Sequence, residues 1–352
     1  MAAMRAARLY GARDLRLMEV PVPELGPHDV LCRVLRCGIC GTDHAIYSGE
    51  SSFVAKGLIR YPMTLGHEWS GTVAEVGSGV RRLQPGDRVV GDTGVSCGLC
   101  EQCLVGRYDL CAAGQAVGTI NAWDGAYAEY LMMPERHLFA LPEAVTFDQG
   151  AMVEPAATAL HAVRQAEVGV GHTVLVTGTG PIGIMAAVLA RICGAAAVLI
   201  AGRRPAKLEL ARALGADATI NTTETTLAEA VPRALGSRKL DRVVEASGSA
   251  DLLLQSLGVV RPTGTVATVA FYEGQMMQLD PDQIVLRAIT LRGVGGSLGM
   301  YRPVLDLMAV GRFDPTPLIT NRYPFDQVLQ ALSDMERDAA TRIKLMLEMP
   351  GA

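Results

Sequence analysis

The fold is decided by residues 173–204, TVLVTGTGPIGIMAAVLARICGAAAVLIAGRR. A short run rich in β-branched residues, Thr173–Thr177, leads into GTGPIG at 178–183, which has the GxGxxG spacing of a dinucleotide-binding turn. The first glycine permits a tight turn, the second lets the backbone approach a pyrophosphate, and the third lets the next helix pack on its strand. Because strand, helix and second strand follow in order, the stretch predicts a dinucleotide site at a helix N-terminus. An ordinary buried βαβ unit is the alternative.

The alternation of strands and helices continues after this unit. Apolar runs typical of strands lie at Ala197–Ala201, Asp241–Ala246 and Thr265–Ala270, with helical patterns between them. This order predicts a doubly wound, parallel-sheet α/β domain. We place this domain at residues 156–296.

The remaining residues predict a second domain, built from both ends of the chain. Residues 5–150 contain short apolar runs interrupted by Gly and Pro, typical of an irregular, mainly β domain. We place this domain at residues 1–155 plus 297–352, the last part of which predicts helices at Tyr301–Val310 and Phe325–Met335 and a strand at Arg342–Glu348. Two domains also fit the chain length of 352 residues.

The composition favours a small-molecule partner. Hydrophobic residues make up 49% and charged residues 19%, and the net charge is −4, so the chain has no basic field for nucleic acid or a membrane surface. The sequence has neither a signal-peptide pattern nor a long apolar span, so we expect a cytoplasmic protein. In that compartment the eight cysteines should stay reduced and available to a metal.

A cysteine-rich loop predicts one metal site. Four cysteines, spaced C-x2-C-x2-C-x7-C, can present four thiolates to one ion and leave no open position, as in structural zinc sites. They are Cys97, Cys100, Cys103 and Cys111. Four unrelated loop cysteines are the alternative.

Separate residues suggest a second metal site. Cys40, the His67-Glu68 pair and Glu154 supply a thiolate, an imidazole and carboxylates, which suit a zinc ion that keeps an exchangeable position. Taken singly, each is weak, since a lone cysteine or histidine is more often a core residue.

These motifs resemble the zinc-dependent medium-chain dehydrogenases and reductases, in particular the polyol and threonine dehydrogenase branch. The resemblance covers nearly the whole chain and rests on CGICGTD (37–43), GHEWSGTVAEVGSGV (66–80), GDRVV (86–90), CGLCEQC (97–103), VEPAATALHAV (153–163) and the GxGxxG turn. It implies a GroES-like, mainly β catalytic domain with an inserted Rossmann domain, two zinc ions per chain, and a homodimer or homotetramer.

The resemblance also implies roles for individual residues. Cys40, His67 and Glu154 match catalytic zinc ligands, and Glu68 either ligates the zinc or assists water exchange. A zinc ion there acts as a Lewis acid that lowers the pKa of a hydroxyl group and so promotes hydride transfer to nicotinamide. Thr42 matches the position whose hydroxyl takes the substrate proton, with a turn-capping threonine as the alternative.

The proton relay departs from the family pattern. Threonine and sorbitol dehydrogenases have a histidine five residues after the zinc cysteine, where this chain has Ala45, and His44 lies one place earlier. His44 is therefore a candidate final acceptor, and a histidine without a role in the relay is the alternative.

The end of the second strand of the βαβ unit bears on the nucleotide. An NAD enzyme usually carries Asp or Glu there to bind the ribose 2′-hydroxyl, whereas this chain has Gly202 followed by two arginines. Two guanidinium groups favour a 2′-phosphate, so NADP(H) is predicted over NAD(H), with two solvated arginines in an NAD enzyme as the alternative. The predicted cofactor-binding residues are Gly178, Gly180, Pro181, Ile182, Gly183, Gly202, Arg203 and Arg204.

We therefore expect an oxidoreductase that interconverts a secondary alcohol, such as a sugar, polyol or cyclitol, and its ketone. An NAD-dependent threonine 3-dehydrogenase is one alternative. A nucleotide-binding protein without turnover is an alternative of another class.

Overall fold

The computed structural model describes residues 2–337 and 339–350. The chain forms two compact units, one of Met1–Glu154 with Tyr301–Ala352 and the other of Pro155–Met300.

The first part of the chain is mainly β, as its interrupted apolar runs predict. Its elements are β1 (Ala3–Leu9), β2 (Leu15–Pro21), β3 (Asp29–Ile39), α1 (Gly41–Ser48), α2 (Ser52–Ala55), β4 (Met63–Thr64), β5 (Glu68–Val76), β6 (Arg88–Gly91), β7 (Gly94–Val95), α3 (Glu101–Leu104), β8 (Gln115–Ala116), β9 (Tyr130–Pro134), β10 (Leu138–Ala140) and α4 (Phe147–Ala151). Helix α5 (Val153–Gln165) then carries the chain into the second unit.

The second unit alternates strands and helices. Its elements are β11 (Thr173–Thr177), α6 (Pro181–Ile192), β12 (Ala197–Gly202), α7 (Pro205–Ala213), β13 (Ala218–Asn221), α8 (Leu227–Leu235), β14 (Arg242–Glu245), α9 (Ala250–Val259), β15 (Thr265–Thr268), α10 (Asp282–Val285) and β16 (Thr290–Gly293).

The last part of the chain rejoins the first unit. It contains α11 (Tyr301–Ala309), β17 (Ile319–Pro324), α12 (Val328–Arg337) and β18 (Lys344–Glu348). Single 3-10 turns lie at Tyr108–Leu110, Ile120–Ala122, Glu135–His137, Thr316–Leu318 and Phe325–Gln327.

The main sheet of the first unit brings distant parts of the chain together. Its strand order is β10-β6-β5-β3-β18-β17, and β9 also pairs with β3. The end of β3 lies between the start of β5 and the start of β18, since Gly38 is opposite Glu68 on one side and Met346 on the other. The carboxyl end of β3 is therefore the place where residues 40, 67–68 and 344 can meet. Trp69, Tyr127 and Phe325 are among the large side chains buried in the core of this unit.

The six-stranded sheet of the second unit is parallel, with the order β13-β12-β11-β14-β15-β16. The order reverses between β11 and β14, which is the position where open α/β sheets bind ligands at the carboxyl ends of their strands. Helix α6 starts there, with Gly180 as N-cap and Pro181 in the first turn, and it ends before Gly194, whose φ of 101° is left-handed. The predicted fold class, a GroES-like β domain with an inserted Rossmann domain, is confirmed.

Among the helices of the described residues, none combines the length and apolarity required to cross a membrane.

Candidate active site

Three predicted metal ligands come together at the carboxyl end of β3. The ligand atoms of Cys40, His67 and Glu68 all lie within 4.8 Å of one another. Cys40 is the N-cap of α1, directly after β3, and the other two lie at the start of β5. His67 and Glu68 are buried, while Cys40 is partly exposed. Thiolate sulfur, imidazole nitrogen and carboxylate oxygen are all accepted zinc donors, so the donor set fits a zinc ion with an open side.

Asp43 contacts two of these residues, Cys40 and His67, and fixes their positions. Its fully buried carboxylate accepts hydrogen bonds from the Cys40 backbone N–H at 2.9 Å and the Tyr127 hydroxyl at 3.1 Å, and it lies 3.3 Å from His67 Nδ1. The backbone N–H of Gly66 also donates to it, at 3.2 Å. A carboxylate behind a metal-binding imidazole orients the ring and raises its basicity. Asp43 therefore orients the loop after Cys40 and also contacts His67.

Asp43 and His67 shift each other's pKa. Burial opposes the charge on Asp43, but the His67 ring and the hydrogen bonds lower the pKa of the carboxyl overall. Burial likewise disfavours a charged His67, but Asp43 and Cys40 raise the pKa of the imidazole well above its usual value. The two shifts together favour a charged Asp43 carboxylate beside a charged His67 ring.

Lys344 forms a buried ion pair with Glu68. The Nζ of Lys344 donates to Glu68 Oε1 at 2.7 Å and Oε2 at 2.5 Å, and also to the Ile39 carbonyl at 3.2 Å. Burial disfavours the ammonium ion, but Glu68 and Cys40 raise the pKa of Lys344 overall. A Cβ on Gly38 would collide with the Glu68 carboxylate, so the glycine opposite Glu68 leaves room for this pair.

Glu154 is on the first turn of α5 and belongs to the first unit. Its carboxylate is outside the group of atoms within 4.8 Å formed by the other three. Burial is the main reason why the pKa of Glu154 is raised to about 7; the charge of His67 opposes this shift and the charge of Glu68 adds to it. Glu154 is therefore within electrostatic range of the cluster and is easier to keep neutral than an exposed carboxyl group.

The two relay candidates occupy the first turn of α1. Thr42 is half-buried, one residue before Asp43. His44 places Nε2 3.1 Å from Glu336 Oε1, and Arg13 contacts the same carboxylate at 2.8 Å. The structure thus links His44 to the end of α12.

The four loop cysteines converge on one point. All four sulfurs lie within 4.8 Å of one another, with Cys100 Sγ 3.5 Å from Cys103 Sγ and 3.9 Å from Cys111 Sγ. Backbone N–H groups of Leu99 and Cys100 donate to Cys97 Sγ and lower the pKa of that thiol to about 6. Four sulfurs at these distances, one already favouring the thiolate, fit a closed tetrahedral zinc site.

A buried histidine anchors the start of this loop. The backbone N–H of Ser96 donates to His137 Nε2 at 3.0 Å, and the Arg136 guanidinium donates to the Ser96 carbonyl. Because Nε2 accepts this bond, the neutral ring carries its proton on Nδ1. Burial, aided by the charge of Arg136, lowers the pKa of His137 to about 4.

The GxGxxG turn has the geometry that its spacing predicts. Gly178 has φ of 102°, and a Cβ on Gly183 would collide with the Gly178 backbone. A Cβ on Gly180 would meet no protein atom within 4 Å, so the backbone is open on that side. Gly180 caps α6 without a side-chain hydrogen bond, and Pro181 and Ile182 form the first turn, which leaves backbone N–H groups for a phosphate. The turn therefore fits a dinucleotide.

The two arginines after β12 are exposed. Gly202 is the last residue of β12, and Arg204 is the N-cap of α7. Among the described residues, no ion-pair partner contacts either guanidinium group of Arg203 or Arg204. Both charges are thus available to an anion at the end of β12.

The fold and these sites define a two-domain dehydrogenase, and comparison with known proteins agrees. An alcohol dehydrogenase GroES-like domain model matches residues 26–143, and a zinc-binding dehydrogenase model matches residues 181–310. Sorbitol dehydrogenase of Gallus gallus is 34% identical over 97% of this chain and 95% of its own length. L-threonine 3-dehydrogenase of Streptomyces avermitilis is 38% identical over 91% of this chain and 92% of its own length.

A solved structure gives the same result. A zinc-binding dehydrogenase from Sinorhizobium meliloti bound to NADP superposes with a TM-score of 0.90 at 34% identity, covering 99% of this chain and 100% of that one. The chain therefore belongs to the zinc-dependent medium-chain dehydrogenases of the alcohol dehydrogenase superfamily, in the polyol and threonine dehydrogenase branch, and it is an oxidoreductase.

Sequence reasoning missed Lys344 and Tyr127. The signal for Lys344 was a single lysine within the apolar run IKLMLEM at 343–349, since a charge at an inward position of a strand needs a buried partner. Tyr127 carried no comparable signal, because its partner Asp43 precedes it by more than eighty residues.

Proposed function

We propose that this protein oxidises a secondary alcohol of the sugar, polyol or cyclitol class to its ketone, and catalyses the reverse reduction, with NADP(H). The observation that carries the reaction type is the convergence of Cys40, His67 and Glu68 on a point beside the first turn of α1. Relatives named sorbitol dehydrogenase and D-xylulose reductase support a polyhydroxylated substrate.

We further propose that Cys40, His67 and Glu154, with Glu68, hold a catalytic zinc, and that the four loop cysteines hold a structural one. A zinc ion at the first site would polarise the oxygen of the bound alcohol or ketone. Asp43 keeps the His67 ring oriented, and the Lys344 ion pair holds the Glu68 carboxylate at the edge of the cluster. The hydroxyl of Thr42 would bind the substrate hydroxyl and take its proton.

The exposed Arg203 and Arg204 support NADP over NAD. Gly202 offers no carboxylate to repel a 2′-phosphate, and the arginines at the N-terminus of α7 would donate charge-assisted hydrogen bonds to it. The Sinorhizobium meliloti relative was solved with NADP bound.

A comparison of kcat/KM for NADP and NAD tests this cofactor assignment. In the wild type NADP should be preferred, and R203A/R204A should reduce the kcat/KM for NADP by roughly 10- to 100-fold, with little change for NAD. R191A is the control, since Arg191 lies in the last turn of α6, away from the GxGxxG turn. Its guanidinium group binds the Ala195 carbonyl and the Asp217 carboxylate. A wild-type preference for NAD would overturn the assignment.

A substrate panel tests the proposed reaction. Polyols, cyclitols, aldoses, simple secondary alcohols and L-threonine should be assayed with both nucleotides, with zinc content measured on the same samples. Turnover of polyhydroxylated secondary alcohols supports the proposal. A clear preference for L-threonine would favour the second candidate, threonine 3-dehydrogenase, which the similarity to the Streptomyces avermitilis enzyme supports. Nucleotide binding without turnover on any compound would contradict both.

We also propose that the chain assembles as a homodimer or homotetramer in the cytoplasm, as the family likeness implies. Light scattering on the purified protein measures the mass directly, and a monomer of 37.3 kDa would contradict this assembly.

A further inference from the structure

The backbone conformation of Gly202 does not require glycine, but a neighbouring side chain occupies the space that a Cβ would need. Its φ lies outside the left-handed region, so the backbone would accept any L-residue. A Cβ built on Gly202 would lie 2.5 Å from Cγ2, 2.6 Å from Oγ1 and 3.1 Å from Cβ of Thr179. Non-bonded carbon atoms prefer about 3.5–4.0 Å, so a side chain at position 202 overlaps Thr179. The obstacle at Gly202 is therefore one neighbouring side chain.

Thr179 cannot easily give way. It is the second residue of the GxGxxG turn, between the left-handed Gly178 and the N-cap Gly180, and its relative exposure is 7%. Rotation about χ1 could turn its hydrogen toward residue 202, but its own Cβ would remain 3.1 Å from the new Cβ. The Gly178 N–H also donates to the Ala201 carbonyl at 2.8 Å, which fixes the turn against the end of β12.

This contact falls at the position that selects between nucleotides. An acidic side chain at the end of the second strand binds the ribose 2′-hydroxyl of NAD and repels the 2′-phosphate of NADP. We propose that Thr179 is a specificity-determining residue for the cofactor, because it keeps a side chain out of position 202 and so leaves the ribose to Arg203 and Arg204. This inference rests on the proposed NADP(H) function and adds that conversion to NAD requires changes at both 179 and 202.

A double-mutant cycle of thermal stability tests the contact between Thr179 and residue 202 without an activity assay. G202A, T179G and T179G/G202A are compared by the Tm of their circular dichroism transitions. G202A should lower the Tm by roughly 3–10 °C, as expected when a methyl group is forced into a packed site. Added to T179G, the same change should lower it by no more than about 2 °C. Equal losses in both backgrounds would overturn the proposed contact.

Cofactor kinetics test the specificity. G202D alone should lower kcat/KM for both nucleotides by about tenfold or more, because the new side chain displaces the turn. T179G alone should keep the wild-type preference between the nucleotides. T179G/G202D should recover kcat/KM for NAD, and its ratio of kcat/KM for NAD to kcat/KM for NADP should be roughly 100-fold higher than that of T179G. If G202D shifts the ratio as far and as efficiently as T179G/G202D, or if the double variant gains no NAD efficiency over G202D, Thr179 has no such role.

The wild-type ratio separates this inference from the proposed cofactor. A wild type that prefers NAD contradicts the NADP(H) assignment and the inference built on it. A wild type that prefers NADP but whose G202D variant already converts to NAD contradicts the Thr179 role alone.

Discussion

Lys344 and Glu68 form a buried ion pair in which one ammonium group donates to both oxygens of one carboxylate. The side chains are 2% and 1% exposed, and they belong to strands that are more than 270 residues apart in sequence. Taking two charges out of water costs several kcal/mol each, which the pair offsets only while both members are present. Because Glu68 adjoins the Cys40–His67 cluster, this pair connects the end of the chain to the proposed zinc site.

Removing Lys344 should therefore destabilise the first unit strongly. K344M leaves the Glu68 carboxylate buried without its partner, and we expect the free energy of unfolding to fall by about 3–5 kcal/mol. E68Q/K344M should recover a large part of the loss, because the double variant buries no unpaired charge. Both tryptophans, Trp69 and Trp123, lie in the first unit, so urea unfolding followed by tryptophan fluorescence reports on this unit.

The exposed Lys56 provides the control for this prediction. K56M removes the same charge from a lysine in solvent and should change the free energy of unfolding by no more than about 0.5 kcal/mol. A K344M protein as stable as K56M would show that the ion pair contributes nothing to stability.

The four-cysteine loop should account for one of two zinc ions. C100S removes one of four ligands, so we expect zinc content to fall from about two to about one per chain and the Tm to fall with it. C193S is the matched control, since Cys193 is outside both clusters at the end of α6. Zinc measured by mass spectrometry after dialysis should be unchanged in C193S. If C100S binds as much zinc as wild type, the assignment of a structural zinc to this loop is wrong.

His137 should make stability depend on pH. Its pKa is about 4 in the folded protein and about 6.5 in the unfolded chain, so between these values the unfolded state binds more protons. The stabilisation is thus complete above about pH 6.5 and is lost as the pH falls toward 4, by on the order of 2–3 kcal/mol. The free energy of unfolding should be measured in urea at pH 7 and pH 4.5. Between these pH values H137Q should lose less stability than wild type, because it lacks the titrating ring. H28Q, which changes an exposed histidine, should lose as much as wild type. Identical pH dependence in wild type and H137Q would contradict the buried neutral ring.

The local parts of the structure could be predicted from sequence. Strand β11 has its predicted bounds, and the glycines at 178 and 183 have the conformation and close approach that the GxGxxG spacing implies. These features depend on residues that are adjacent in the chain, where backbone sterics leave few choices.

The supporting contacts of the site could not be predicted in this way. Lys344 reaches Glu68 only because β18 pairs with β3 in one register, and a shift of one residue would turn its side chain to the other face. The contact between His44 and Glu336 likewise depends on where α12 packs. The strand predicted at Arg342–Glu348 starts two residues later, at Lys344. Such contacts follow from long-range strand and helix pairing, which spacing alone does not specify.

The final prediction separates the two relay candidates on α1. Thr42 carries the proposed proton acceptor, so T42V should lower kcat by roughly 10²-fold or more, with T42S restoring most of it. His44 is bound to Glu336, which Arg13 also contacts, so H44A should lower the Tm slightly and leave kcat within a few-fold of wild type. Steady-state kinetics across pH 6–10 with the best substrate from the panel measures both variants. If H44A instead loses the rate and its pH profile while T42V keeps them, His44 is the relay group and the assignment of Thr42 is wrong.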